Sequence, residues 1–259
     1  MRICRKETGM DTQWKHYLRE LVENLQATNY IGPNDIPNID LYMDQVTRFL
    51  DEHLEQSKRF DNDKLLTKTM INNYTKSELL PSPVKKKYSK DHMYLLVFIY
   101  YLKNFLSIND VQHIVGPMKD MFFREDSDIK LEDIYREIFD LEEKVGNDLV
   151  KDVFTKFDQS KRTFRNVKEA DEKEFLSIFS FIAMLSFDVY LKKQMIEQII
   201  DDLLVPAQES RKKEAEMAQK EAREEKKAEK REKREKQSDK KADGRKSTDE
   251  PAGASDGDA

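Results

Sequence analysis

Leu65-Leu-Thr-Lys-Thr-Met-Ile-Asn-Asn-Tyr-Thr-Lys-Ser-Glu-Leu-Leu-Pro-Ser-Pro-Val-Lys-Lys-Lys-Tyr-Ser-Lys-Asp91 sets the reading of the whole chain. Thr67 is placed to cap a helix whose inner stripe is Met70, Ile71 and Tyr74 and whose opposite face carries Lys68, Thr69, Asn72, Asn73 and Lys76. Pro81 and Pro83 cannot continue that helix, so a turn or hairpin follows, from which Lys85, Lys86 and Lys87 project. Ser89 then caps a second helix, in which Met93 to Leu102 (MYLLVFIYYL) is an unbroken apolar run that must be covered on most sides. A helix, a proline-bounded basic hairpin and a helix, in that order, form the core of a winged helix-turn-helix.

Outward from this stretch the pattern is helical. Trp14, Tyr17, Leu18, Leu21, Val22 and Leu25 recur at three and four, which predicts a helix within residues 11–33 that ends before Gly32-Pro33 and packs on the domain that follows. A second helix opens at Asn38, carries Leu41, Tyr42, Val46, Phe49 and Leu50 on one side, and runs to about Leu54, after which Gln56 to Lys64 reads as a loop. Ser107-Ile-Asn-Asp110 is a capping-box variant that opens a helix with Ile108, Val111, Ile114 and Val115 inside. Ile129 to Phe157 is helical again, and Val167 to Leu204 continues as one helix or two, ending before Pro206. Strand signals are confined to the Leu79 to Tyr88 hairpin. These boundaries divide the chain into an N-terminal helical segment (1–35), a winged helix-turn-helix (36–123), a helical C-terminal region (124–206) and a tail (207–259).

Charge separates the same regions. Residues 64–123 hold nine Lys against four Asp/Glu, an excess of +5, whereas the rest of residues 1–206 holds 21 Lys/Arg against 32 Asp/Glu. A basic island in an acidic protein suggests a face for an anionic partner. The tail holds 16 Lys/Arg and 15 Asp/Glu with Met217 as its one large apolar residue, so it cannot build a core and is expected to be a disordered polyampholyte, transiently helical over Ala207 to Lys236.

Much chemistry is not expected. The single cysteine, Cys4, allows no internal disulfide, and the histidines at 16, 53, 92 and 113 do not have metal-ligand spacing. No glycine-rich phosphate loop, G-x-S-x-G or H-E-x-x-H occurs, so no enzyme, cofactor or metal is expected. The charged start Met1-Arg-Ile-Cys-Arg-Lys-Glu lacks the apolar run of a signal peptide, Met10 is an alternative start, and a cytoplasmic setting is expected. Phe175 to Leu191 (FLSIFSFIAMLSFDVYL) raises a membrane question, but Asp188 and a length of 17 residues favour a buried core or dimer helix.

Ile71-Asn-Asn-Tyr-Thr-Lys-Ser-Glu-Leu-Leu-Pro81 is similar to the I-R-Y-Y-E-x-x-G-L-L-P signature of MerR-type transcriptional regulators, with Ile71, Tyr74, Leu79, Leu80 and Pro81 matching. Tyr88-Ser-Lys-Asp91 resembles the Y-S-x-x-D that starts their third helix, and Leu106-Ser-Ile-Asn-Asp-Val111 resembles the F-S-L-E-E-I of the fourth. More closely, the run from Ile36-Pro-Asn-Ile-Asp-Leu-Tyr-Met-Asp-Gln45 to the end of the fourth helix resembles the uncharacterised bacterial family called domain of unknown function 1836, which implies a MerR-like fold and no particular activity. The chain departs from the MerR pattern where Asn72 replaces a phosphate-contacting Arg, Asn73 a Tyr and Glu78 a Gly. Its loop between the first two helices is also longer than the tight MerR turn.

The expectation is therefore a mainly α protein with a MerR-like winged helix-turn-helix and a short basic wing, acting as a DNA-binding transcriptional regulator. Lys68, Thr69, Asn72, Asn73 and Lys76, with Thr67 at the helix start, would enter the major groove, where Asn pairs bidentately with adenine. Lys85, Lys86 and Lys87 would grip phosphate. The C-terminal helices would join a homodimer that reads two half-sites. The alternative is a protein-interaction module on the same scaffold, with solvated lysines. Tyr74, Tyr88, Tyr94, Tyr100 and Tyr101 have the helical spacing of core residues rather than of a base-stacking platform.

Overall fold

Helices α3 and α5 begin where a side chain holds the first turn, Thr67 accepting the N–H of Met70 and Ser107 that of Asp110. The structure is a computed structural model that describes residues 13–24, 31–124 and 126–218, with 220, 221, 223, 224, 226 and 227 beyond them. Most of the expected disordered tail lies outside the described residues. Residues up to Val205 form one compact unit and those from Pro206 a second.

Helix α1 covers residues 13–24. A two-residue strand, β1 (Leu41–Tyr42), leads into α2 (Met43–Leu54) and a 3-10 turn (Glu55–Ser57). Helix α3 (Lys68–Lys76), strand β2 (Lys87–Tyr88), α4 (Lys90–Lys103) and α5 (Ile108–Phe122) follow. Two long helices, α6 (Leu131–Ser160) and α7 (Ala170–Ile199), close the order, and α7 passes into a π turn (Ile200–Leu204). β1 pairs antiparallel with β2 in the register Leu41 to Tyr88 and Tyr42 to Lys87. The strand at 41–42 departs from the helix expected to open at Asn38. Two residues are too few to leave a period-2 pattern, and the strand exists because the hairpin supplies a partner.

The apolar run of α4 is the centre of the main core. His92, Met93, Tyr94, Leu95, Leu96, Val97, Ile99 and Tyr100 are all buried there, beneath Val46, Leu50 and Leu54 of α2, Ile71 and Tyr74 of α3, Val111 and Val115 of α5, and Leu131 and Tyr135 of α6. Burying side chains of this kind stabilises by roughly 1.5–3 kcal/mol each. Of the five tyrosines expected in the core, Tyr74, Tyr88, Tyr94 and Tyr100 are buried.

Among the described residues, helix α1 packs on α6 and α7 rather than on the segment that follows it. Leu18 and Val22 enter a second cluster with Val153, Phe157 and Phe181, which lies on α6 and α7. Trp14 meets Phe157 at 6.4 Å between ring centres. The α6–α7 pair therefore offers α1 an apolar seat that the already covered main core does not.

Helix α7 is not a core helix. Phe181 is its one buried residue, and by length and composition the helix is long and apolar enough to cross a membrane. Asp188 receives Lys156 Nζ of α6 at 3.1 Å, and the same ammonium pairs with Asp152. The acid in the middle of the apolar run is thus a tie between two helices. Helical backbone also continues past Pro206, where termination was expected. The π turn lies directly before that proline, where its ring would otherwise crowd the carbonyl of Asp202.

Candidate nucleic-acid interface

Helix α3 starts as its sequence requires. Thr67 Oγ1 accepts the N–H of Met70 at 3.2 Å, and Ile71 and Tyr74 turn inward. Lys68, Thr69, Asn72, Asn73 and Lys76 are exposed. The helix ends on Glu78, whose φ of 60° is left-handed, the conformation for which glycine is the usual residue. Helix α5 braces this ending: Lys119 Nζ donates to the Glu78 carbonyl at 2.7 Å, and Gln112 Nε2 donates to the Ser77 carbonyl at 3.4 Å.

The basic hairpin is a two-residue turn. Val84 N–H donates to the Lys87 carbonyl at 3.1 Å and Lys87 N–H to the Val84 carbonyl at 2.9 Å, and Lys85 and Lys86 both have positive φ, 51° and 66°. Positive φ at both central residues defines a type I′ turn, whose twist suits a hairpin but which ordinarily takes Asn-Gly. Lys85 and Lys86 stand exposed at the tip. Lys87 does not join them, because its ammonium lies 5.2 Å from the centre of the Tyr42 ring on the paired strand.

Lys68 is engaged as well, in an ion pair with Asp44 of α2. The nine residues singled out by sequence thus separate into three groups. Lys85 and Lys86 present exposed cationic tips; Thr69, Asn72, Asn73 and Lys76 form an exposed polar helix face; and Thr67, Lys68 and Lys87 do structural work.

His92, unremarkable by sequence, anchors the hairpin base. It is buried between the rings of Tyr88, at 5.4 Å, and Phe123, at 4.7 Å, and its Nδ1 accepts the Ser89 N–H at 3.0 Å. Burial pushes its pKa down to about 4, against a smaller opposing pull from the backbone of Ser82 and Pro81. With Nδ1 accepting from Ser89, Nε2 carries the hydrogen of the neutral ring. The signal in the sequence was Ser89-x-x-His92, with the histidine at the capping-box position usually held by Glu or Gln.

The long loop between α2 and α3 is pinned at both ends to the C-terminal part of α4. Ser57 Oγ lies 2.5 Å from Tyr100 Oη, and Lys103 Nζ donates to the Leu65 carbonyl at 2.9 Å. Asp63 accepts the N–H groups of Arg59 and Phe60 at 3.1 and 3.0 Å. A separate apolar groove of about 510 Å³ lies between α4 and α6, lined among others by Phe98, Tyr101, Phe105, Ile138 and Val145. Among the described residues no group of His, Cys, Asp and Glu is placed to hold a metal ion.

The Tyr135 hydroxyl of α6 donates to the Ile31 carbonyl at 2.6 Å, a buried bond that ties the chain ahead of β1 to the helix that follows α5. No curated protein and no solved structure matches the chain. Residues 31–138, which contain both partners of this bond, match the model of the family described as Domain of unknown function (DUF1836).

Proposed function

We propose that this protein binds DNA as a transcriptional regulator, with residues 36–123 acting as a MerR-like winged helix-turn-helix. The observation that carries this reading is the hairpin tip, which holds two consecutive lysines in left-handed backbone in the segment that follows an exposed polar helix. Left-handed backbone costs a non-glycine residue about 1–2 kcal/mol, and such strain persists where the projected side chains serve a purpose. Helix α3 enters the major groove through Thr69, Asn72, Asn73 and Lys76, while Lys85 and Lys86 contact phosphate. Paired copies read two half-sites.

The test is fluorescence anisotropy of the full chain on pooled DNA fragments from about 50 to 200 mM salt, beside Lys85→Ala/Lys86→Ala. Binding that weakens with salt and whose slope falls by about 2 in the variant supports the reading. A folded protein with no DNA binding at low salt ends it. The second reading, a protein-interaction module, draws support from the apolar groove between α4 and α6 and becomes the working hypothesis in that event.

A further inference from the structure

Residues 161–168, which join α6 to α7, hold Lys161, Arg162, Arg165 and Lys168 and no carboxylate, in a chain whose net charge is -5. Lys161 is engaged within the fold: it pairs with Asp158 at 2.9 Å and lies 4.8 Å from the centre of the Phe157 ring. Arg162, Arg165 and Lys168 are exposed, and among the described residues none of the three makes an ion pair. Between them stands Phe164, 45 % exposed although its φ of 49° is left-handed, a backbone that a bulky side chain adopts only against its own Cβ. The other described non-glycine residues with positive φ are Glu78, Lys85 and Lys86, all at the candidate interface. Strain of this kind gathers where side chains must be projected toward a partner. The loop is also held in shape. Thr163 Oγ1 donates to the Ser160 carbonyl at 2.6 Å and lies 3.1 Å from Ser180 Oγ of α7, and Val167 N–H donates to the Phe164 carbonyl at 3.1 Å. Arg165 Nε donates to the Arg162 carbonyl at 3.1 Å, which leaves the two terminal nitrogens of its fork for a ligand.

We infer that this loop is a second nucleic-acid contact, in which Arg162, Arg165 and Lys168 take phosphate and the Phe164 ring stacks on an unpaired base. Guanidinium forks match phosphate oxygens, and an aromatic ring set among them finds a flat partner in any base. Two other anionic partners fit less well. An acidic peptide would satisfy the cations and give the ring no face to stack on. A bilayer is flat and would also meet Glu169, Asp171 and Glu172, which are exposed directly after the loop. In a duplex each base face is covered by its neighbours, so a single strand is the form that offers the ring a face. Ser160 lies about 38 Å along α6 from Tyr135 of the main core. The tip therefore rests on the nucleic-acid reading for its class of partner and shares no residue with the hairpin.

The probe is a fluorescein-labelled single strand of about 20 nucleotides and mixed sequence, titrated with the full chain by anisotropy from about 50 to 200 mM salt. Wild type should bind it with salt-dependent affinity. Arg162→Ala/Arg165→Ala/Lys168→Ala should lower the salt slope by about 2. Phe164→Ala should weaken binding by roughly 5- to 150-fold with the slope unchanged, and Phe164→Leu, which keeps the bulk and loses the flat ring, should match it. Phe164→Gly separates contact from folding, since it relieves the left-handed backbone: the urea midpoint should rise while affinity falls. Lys85→Ala/Lys86→Ala should leave single-strand binding in place. No single-strand binding by wild type at low salt, Phe164→Leu or Phe164→Gly binding like wild type, single-strand binding lost with the hairpin variant alone, or wild type that leaves the strand to float with phosphatidylserine vesicles would each overturn the inference. Single-strand binding through the tip with no duplex binding at low salt would overturn only the functional proposal.

Discussion

Tyr135 holds the carbonyl of Ile31 at 2.6 Å although 104 residues separate them. Ile31 is itself buried, and Tyr135 packs against Tyr94 at 4.7 Å between ring centres. The bond therefore fixes the first described residue of the main core to α6. Tyr135→Phe keeps the ring and removes the donor, leaving a buried carbonyl unsatisfied. The expected loss is about 1–3 kcal/mol, read as a lower urea midpoint with an unchanged slope. An unchanged midpoint would mean that water replaces the hydroxyl without loss.

Stability and binding should move in opposite directions at the hairpin tip. Lys85→Asn/Lys86→Gly places the residues that a type I′ turn favours at positions now held in left-handed backbone. The fold should gain about 1–2 kcal/mol, while nucleic-acid affinity falls and its salt slope decreases by about 2. Urea unfolding and anisotropy on the same preparation check both halves. A gain in stability with affinity intact would remove the lysines from the proposed interface.

Asp44 restrains Lys68 at the start of α3. The pair is exposed, so Asp44→Ala should change stability by less than about 1 kcal/mol. Affinity for DNA should rise, since one acid leaves the face and one cation is released, and the salt slope should steepen by about 1. Weaker binding would show instead that the pair positions Lys68.

The His92 ring gives the fold an acid limit. Its ordinary pKa of 6.5 falls to about 4 on folding, so between these values the unfolded chain holds a proton that the folded chain does not. The stabilisation is complete above about pH 6.5, declines as pH falls toward 4 and levels off below it, a swing on the order of 3 kcal/mol. His92→Gln, which can still accept the Ser89 N–H, should flatten this part of the stability profile measured by urea unfolding at successive pH values. An unaltered slope between pH 6.5 and 4 would place the acid sensitivity elsewhere.

Features generated by neighbours in sequence were legible without the structure. Thr67 and Ser107 cap as their spacing requires, Ile71 and Tyr74 point inward, and the apolar run of α4 is buried nearly all round. What escaped depends on distant partners. Asp44 neutralises Lys68 from another helix, and Tyr42 draws Lys87 away from the tip only because β1 pairs with β2. Helix α1 found its seat on α6 and α7 because its stripe specifies an apolar neighbour without specifying which. Helix α7, expected as a core or dimer helix, buries Phe181 within the chain, because an apolar run states the need for cover without specifying its source.

The loop between α2 and α3 has its own use. Ser57 beside Tyr100 and Lys103 bound to Leu65 clamp both ends of it to one helix, so strain introduced at its exposed middle is not passed into α3. A segment bounded in this way is a natural port for grafting. A fluorophore or a small folded module inserted next to Asn62 would ride on the protein while leaving the geometry of both flanking helices in place.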